Sequence, residues 1–332
     1  MDTFLNYPFN PELFMFNWQN QPDPTKNALV NSGVMVEDAT IAAQVGDRNT
    51  SDTYTAPFYK PLTGAPANYD GDTDVPVETT SGDSMTGVVF GRTQGWSEDQ
   101  FVRDAGPNVN PFERQVIPGV AKFYQGEAQK NMIGILTAVS GVTGMESHVL
   151  DTKAPVTEFS FGDLATDALG DNADVLNLAF MHSAVARSLY KKGLLEYAKY
   201  TDAQGIERVS RNIAYIDGFQ VIVDDAAPHT AGSGSETPAT YTTFLLGAGF
   251  LLHSDAYTEV PVEITRDALS KGGKNILVTR RRETIHPNGF SFTKPKSGYK
   301  NSPTFAQLSN KANWSLKYPA KTVPFAAITT QA

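Results

Sequence analysis

The chain has 332 residues, 40% of them hydrophobic and 19% charged, with no cysteine. That length accommodates about two domains and a substantial core, while the missing cysteines exclude disulfide staples and thiolate metal sites. The formal charge is −9 at pH 7 but polarised: residues 271–332 hold 11 basic residues against Glu283 alone, a balance of +10 that leaves −19 for the first 270.

This polarity has two readings. The basic end of one subunit can meet the acidic part of another, giving head-to-tail complementarity and hence rings or shells. Equally, both charge sets can meet inside one subunit or face water, where exposed charges contribute little. Residues 1–5 (MDTFL) hold neither a basic stretch nor a long apolar segment. A soluble chain of cytosolic origin is expected, without secretory signal or membrane span.

In chain order, residues 1–35 cluster Asn, Pro and aromatics, among them Phe14 and Trp18, without helical or strand periodicity. They read as an extended arm. Exposed aromatics on an irregular arm are unfavourable in a free monomer, so these lie on a neighbouring subunit or on the chain's own body, with a packed N-terminal lobe as the alternative. Residues 46–86 carry seven acidic residues against Arg48 and Lys60, with no apolar run sufficient for a core strand. Composition alone reads as disorder. Tyr54, Phe58, Tyr59 and Tyr69, interleaved with Thr and Val, point instead to a long two-stranded excursion ordered by a partner.

A short helix is predicted from Ser97 (SEDQFVRDA), with Ser97 as cap. A longer one follows, capped by Asn110 with Pro111 in its first turn, striped by Val116, Val120, Phe123, Tyr124, Met132, Ile135, Leu136 and Val139, and ending at Gly141. Pro118, Gly119 and Gly126 are expected to bend or interrupt its first half, unless an irregular loop precedes a shorter helix. Asp171 and Asn172 offer caps for a further helix striped by Val175, Leu178, Ala179, Ala186 and Leu189. After Leu194 and Leu195, a turn over 201–205 leads to the run 219–223 (FQVIV), a strand suited to cover on both faces.

Residues 231–238 (AGSGSETP) read as an exposed loop, and Gly247 and Gly249 within an apolar strand over 241–252 mark a bulge or close backbone approach rather than a phosphate loop. From 262 to 292 the chain alternates and turns at Gly272 and Gly273, a β-ribbon in which Arg280, Arg281 and Arg282 point to alternating faces. At most two of them share a surface, and stacking aromatics are missing, so loose charge contact with DNA is expected rather than specific recognition. From Phe305 a short helix and a final strand close the fold, with Trp314 in the core.

Met181, His182 and Ser183, then Val221, Ile222, Val223, Asp224, Asp225 and Pro228, then 241–249 (YTTFLLGAG), 262–268 (VEITRDA) and 286–290 (HPNGF) leading to Ser302, Pro303 and Thr304, resemble in this order the major capsid (coat) proteins of tailed bacteriophages, the Hong Kong 97 type. The resemblance covers about the C-terminal half; the N-terminal half matches in layout. It implies an α+β capsid fold with an N-terminal arm over 1–45, an extended β-hairpin loop over 46–90 and a peripheral domain with a spine helix over 91–150. An axial domain over 151–260, a peripheral-domain β-ribbon over 261–300 and a closing C-terminal segment over 301–332 complete it.

What the resemblance implies about function is a structural protein, not an enzyme, with no cofactor and no metal. Many copies would form pentamers and hexamers of an icosahedral shell around double-stranded DNA, assembled in the bacterial host cytoplasm and retained in the virion. A separate scaffolding protein, a portal and packaged DNA are the expected partners, with no membrane. The expected assembly contacts are Phe14, Trp18, Tyr54, Phe58, Lys60, Arg280, Arg281 and Arg282. In some members a loop lysine forms an isopeptide bond to an asparagine; Lys60 is the only lysine of this loop, and no flanking motif supports the bond. No heptad-rich segment precedes the arm, so little or no N-terminal processing is expected. A nanocompartment shell enclosing enzyme cargo, as in the encapsulins, shares the fold and is the alternative within it.

A metal-dependent enzyme is the alternative of another class. Asp224 and Asp225 after an apolar strand can hold a divalent cation or share a proton. No companion base or further carboxylate is identifiable, and Asp-Asp before Ala-Ala-Pro is suited to ending a strand in a turn. The five histidines, His148, His182, His229, His253 and His286, lack the spacing of zinc ligands. His182 reads as a helix-face residue and His286, before Pro287, as a turn residue. No Gly-x-Ser-x-Gly elbow is present.

Overall fold

The computed structural model describes residues 3–4, 7–8, 26–46, 51–100, 116–157, 160–201, 207–232, 238–270 and 272–331. β1 (Thr3–Phe4) and β2 (Tyr7–Pro8) pair as a minimal antiparallel ribbon. Residues 26–34 lie on the chain's own body: Leu29 and Val34 are in the core, and the Leu29 amide donates to Gln129 Oε1 at 3.2 Å. β3 (Met35–Glu37) leads into α1 (Ala39–Val45), capped by the Asp38 carboxylate, which accepts from the amides of Thr40 and Ile41.

β4 (Thr53–Tyr59) and β5 (Gly82–Val88) form an antiparallel hairpin, and β6 (Phe90–Asp99) follows at once. The helix expected from Ser97 is corrected: Ser97, Glu98 and Asp99 stay in β6 because Ile276, Asn275 and Lys274 give them ladder partners. Gln100 is helical, so the start of the expected helix is what shifts; residues 101–115, with Asn110 and Pro111, lie outside the described residues. α2 (Ile117–Ser140) runs through Gly119 and Gly126 without the expected interruption. Pro118 falls in its first turn, where the missing N–H breaks no intrahelical bond, so it starts the helix instead of bending it. Ala128, Met132, Ile135, Leu136 and Val139, three to four residues apart, form its buried stripe.

The chain continues through β7 (Val149–Pro155), α3 (Ser160–Leu169), β8 (Leu176–Met181), α4 (Ser183–Lys191), β9 (Glu196–Thr201), β10 (Glu207–Ile216), β11 (Phe219–Val223), β12 (His229–Thr230), β13 (Thr240–Gly247), β14 (Leu251–Ala256), β15 (Val262–Asp267), β16 (Lys274–Pro287), β17 (Phe290–Phe292), α5 (Phe305–Leu308), β18 (Trp314–Leu316) and β19 (Phe325–Gln331). The single helix expected from Val175 to Leu189 is corrected. Leu176 to Met181 (LNLAFM) is a near-continuous apolar run buried from both faces, so it forms the strand β8. His182 then caps α4, its Nδ1 accepting from the Ala184 amide at 3.1 Å.

The larger sheet has the order β7-β19-β13-β8-β11-β10-β9, with β12 beside β13. β8 and β11 are parallel, as are β19 and β7. Strand alternation sends Phe244 and Leu246 to one face, where they share a core cluster with Met132, Ile135 and Leu136 of α2, and Leu245 to the other, in a cluster with Phe161 and Leu164 of α3 and Val185 and Leu189 of α4. Phe219 and Val221 of β11 join the second face and Ile222 packs on the first, so the strand read from FQVIV is covered on both.

The strand expected over 241–252 divides between two sheets. A Cβ at Gly247 would meet Pro324 Cβ at 2.7 Å and the Val175 carbonyl at 2.9 Å, the close approach inferred from the sequence. Gly249, at φ +72°, then turns the chain into β14. The smaller sheet has the order β15-β16-β14-β3, with β6 on the other flank of β16. β15 and β16 form the ribbon expected from Val262 onward. His286 is corrected from turn to strand: it is buried within β16, and the turn belongs to Asn288 and Gly289, the latter at φ +89°. Thr304 and Gln307 form a capping box on α5, and β18 pairs with β17 to bring Trp314 into the core.

Candidate assembly surface

The β4–β5 hairpin is fixed at its base and bare at its tip. Tyr54 and Gly87 are cross-strand partners, and the Tyr54 ring fills the space that a Cβ on residue 87 would need. Thr284 Oγ1 donates to the Val88 carbonyl at 2.9 Å, which spends its single proton, so the Tyr54 phenol is the donor in their 3.1 Å contact. Burial pushes that phenol well above its ordinary pKa. Phe58 packs edge-on against Tyr318, ring centroids 4.9 Å apart.

Two cations from the C-terminal region hold the same base. Lys294 is ion-paired with Asp52, whose other oxygen accepts from Tyr299 Oη at 2.6 Å, and Lys317 reaches Asp83 at 3.4 Å. Burial pushes the Asp52 carboxyl up, but the bonds from Lys294 and Tyr299 outweigh it and hold the group below the usual carboxylate range. Lys274 with Asp99 and Arg281 with Asp255 repeat the pattern. For these pairs the charge polarity of the sequence is met inside one chain.

Beyond Tyr59 the hairpin leaves its own body. Residues 60–81 are exposed throughout, including Tyr69 at 98%, Leu62 at 85% and Val77 at 87%; Tyr59 itself is 91% exposed. Asp70 organises the turn there, accepting from the amides of Asp72 and Thr73 and from Thr73 Oγ1, and these bonds pull its carboxyl down to about 2. A set of apolar side chains held in water is unfavourable unless something covers it. A second bare surface is β15, an edge strand on β16 with Val262, Ile264 and nearby Leu269 exposed.

Of the contacts read from the sequence, Phe14 and Trp18 lie outside the described residues. Tyr54 is a core residue and Phe58 is half-covered by Tyr318, so neither is a free aromatic. Lys60 is exposed, its amide donating to the Ser81 carbonyl at the hairpin neck. Arg280 pairs with Glu263 at 2.9 Å, Arg281 with Asp255, and Arg282 Nη1 donates to the Tyr257 carbonyl at 3.1 Å. Leu62, Val75, Val77, Val262 and Ile264 are exposed but stand outside the expected contact set, although Val75 and Val77 belong to the Thr and Val residues that point to a partner-ordered excursion. Val262 and Ile264 were visible as the apolar half of an alternating VEIT strand; the others are single apolar residues in a polar loop.

Asp224 is buried. Its Oδ1 accepts from the Ala226 amide at 3.0 Å and its Oδ2 from Gln129 Nε2 at 2.9 Å, which makes it a turn-former tied to α2. Asp225 is exposed, 3.8 Å from His182 Nε2, and its carboxyl is held low chiefly by a hydrogen bond from Ser183. Among the described residues this carboxylate pair belongs to no set of three metal-ligating side chains.

A family model described as Gp13-like, major capsid protein 13-like, matches residues 97–322. The major capsid protein of Bacillus phage SPP1 is 28% identical over 327 residues, covering 97% of this chain and 94% of that protein. Among solved structures, the capsid asymmetric unit of cyanophage Pam1 is similar with a TM-score of 0.56 at 8% identity, over 99% of both chains. The head structure of Helicobacter pylori bacteriophage KHP40 is similar with a TM-score of 0.55 at 11% identity, over 97% of this chain and 95% of that one. At such identities the structural likeness is one of fold.

Proposed function

The chain belongs to the Gp13-like major capsid protein family and has the α+β, Hong Kong 97-type fold of tailed-phage capsids, and from that premise we propose how its limbs build a shell. It is a phage major capsid protein, a component of the virion whose relatives form multi-copy capsids. Copies of it form pentamers and hexamers that close into an icosahedral container for double-stranded DNA. Assembly takes place in the host cytoplasm on a separate scaffolding protein, with a portal at one vertex.

In this reading residues 46–90 are the limb that reaches a neighbour, and of the arm expected over 1–45 the part from 26 to 45 is packed into the chain's own body through Leu29, Val34, Ile41 and Val45. Residues 91–150 and 261–300 make a peripheral unit with α2 as its spine, 151–260 an axial unit, and 301–332 the segment that closes both. The observation that carries the proposal is the contrast within one hairpin, between a base pinned by Tyr54, Asp52 and Asp83 and a tip that leaves Tyr59, Leu62, Tyr69, Val75 and Val77 in water. A pinned lever with an apolar end supports a docking limb, and a second copy of this chain is its occupant. Asp224, engaged with Ala226 and Gln129, supports a structural role for the Asp pair in place of catalysis. The match to a phage capsid family favours this container over a nanocompartment shell.

The test is a variant with residues 62–78 replaced by a short Gly-Ser linker, expressed with scaffolding protein. It is expected to fold with unchanged melting behaviour and to give no closed particles by electron microscopy. Shells as numerous as those of the parent would refute the limb assignment.

A further inference from the structure

On the smaller sheet, His253 and Asp255 lie two apart on β14 and so share one face, and Glu283 of β16 is the register partner of Asp255. His253 Nε2 is 3.5 Å from Glu283 Oε2 and 3.8 Å from Asp255 Oδ1. One donor atom from each of the three lies within 4.8 Å of the others. Ligands sharing one zinc-sized ion stand roughly 3.3–3.5 Å apart, the edge of a tetrahedron with bonds of about 2.0–2.2 Å. The two separations from His253 Nε2, 3.5 Å to Glu283 and 3.8 Å to Asp255, are within a few tenths of an ångström of that. The two carboxylates, within 4.8 Å of each other, close on the ion as it binds.

Glu283 is 4% exposed, and neither its Oε2 nor His253 Nε2 makes a hydrogen bond. A buried carboxylate oxygen facing an imidazole nitrogen needs positive charge between or beside them. Arg281 supplies part of it, its guanidinium 3.2 Å from Glu283 Oε2 and 3.0 Å from Asp255 Oδ1. Arg92, the register partner of Arg281 on β6, also acts on Glu283 through its charge, so what the cluster offers a cation is three convergent donor atoms rather than an excess of negative charge.

We propose that His253 Nε2, Asp255 and Glu283 form a binding site for a zinc-class divalent cation, with water completing its shell. Asp255, on the exposed side, is the point of entry. Arg281, half-exposed, swings away from Asp255 as the cation arrives, because the two positive charges compete for the same carboxylates. The bound ion staples β14 to β16 in the sheet whose other strands include the bare edge β15. His253 and Glu283 are far apart in the chain, which is why the spacing of the histidines concealed the cluster and no metal was expected. The proposal does not depend on the docking limb.

The test uses the full-length, EDTA-stripped, unassembled protein, titrated with Zn²⁺ by calorimetry and thermal melting and with Co²⁺ by visible absorption. The parent is expected to bind one equivalent per chain, to melt at higher temperature with saturating Zn²⁺, and to give a Co²⁺ ligand-field band. Asp255→Asn and His253→Gln should each weaken binding at least about tenfold and abolish the band, and Arg281→Gln should strengthen binding. Asp255 is exposed, so Asp255→Asn keeps the fold, verified by its metal-free melting curve. Failure of the parent to bind a saturable equivalent overturns the proposal, as does undiminished binding by folded Asp255→Asn.

Discussion

Gly87 lies directly beneath the ring of Tyr54, its partner across the β4–β5 hairpin: a Cβ there would fall 2.1 Å from Tyr54 Cζ and 2.3 Å from its hydroxyl. Gly87→Ala must therefore displace a buried ring and its bond to Thr284. Overpacking of this kind costs about 1–3 kcal/mol. The variant should lose that much stability in urea unfolding, while Ala67→Ser at the exposed tip should lose less; equal losses would show that the hairpin base is not part of the cooperative core.

Lys294→Ala tests the pin at Asp52. The Lys294 side chain is 43% exposed, so screening limits its contribution to about 0.5–1 kcal/mol. The folded-state pKa of Asp52 is depressed, so this stability is present above the unfolded value of 3.8 and fades as pH falls through the lower folded one. The parent and Lys294→Ala should differ at pH 7 and converge below about pH 4; a difference independent of pH would contradict the assignment.

His286 makes a stronger acid sensor. Buried in β16 near Tyr54 and Trp314, its imidazole is pushed by burial from 6.5 down to about 4. The unfolded chain takes up a proton that the folded one refuses, so stability falls as pH drops from about 6.5 to about 4, by on the order of 3 kcal/mol. Melting curves of His286→Gln should be flatter than the parent's across that window. An identical pH dependence would assign the acid response to other groups.

Asp224→Ala removes the acceptor for the Ala226 amide and for Gln129 Nε2, leaving a buried amide unpaired. A loss of about 1–3 kcal/mol in thermal or urea unfolding follows from the unmet donors. Asp225→Ala, at an exposed position, should cost under about 1 kcal/mol. The reverse order would revive a special role for Asp225.

Elements with one dominant signal were legible in the sequence. The FQVIV strand, the VEIT ribbon with its glycine turn, buried Trp314 and the close approach at Gly247 follow from local pattern. The misreadings share a cause: LNLAFM satisfies a helical stripe and a doubly buried strand equally, and only its neighbours β13 and β11 decide. Ser97 to Asp99 carry helix-cap chemistry that ladder pairing with β16 overrides. Tyr54 looked like one of a set of loop aromatics because nothing local reveals Thr284 or the vacant space at Gly87. The charge polarity correctly flagged long-range pairing, yet Lys294–Asp52, Lys317–Asp83 and Lys274–Asp99 are within one chain, a distinction that composition does not hold.

The most direct measurement is a cryo-electron microscopy map of the particles formed when this chain is expressed with the scaffolding protein proposed for it. The account predicts closed particles in which Leu62, Tyr69, Val75 and Val77 are buried against the body of an adjacent subunit. Particles in which those four side chains still face solvent, or a chain that stays monomeric at high concentration with scaffolding present, would contradict it.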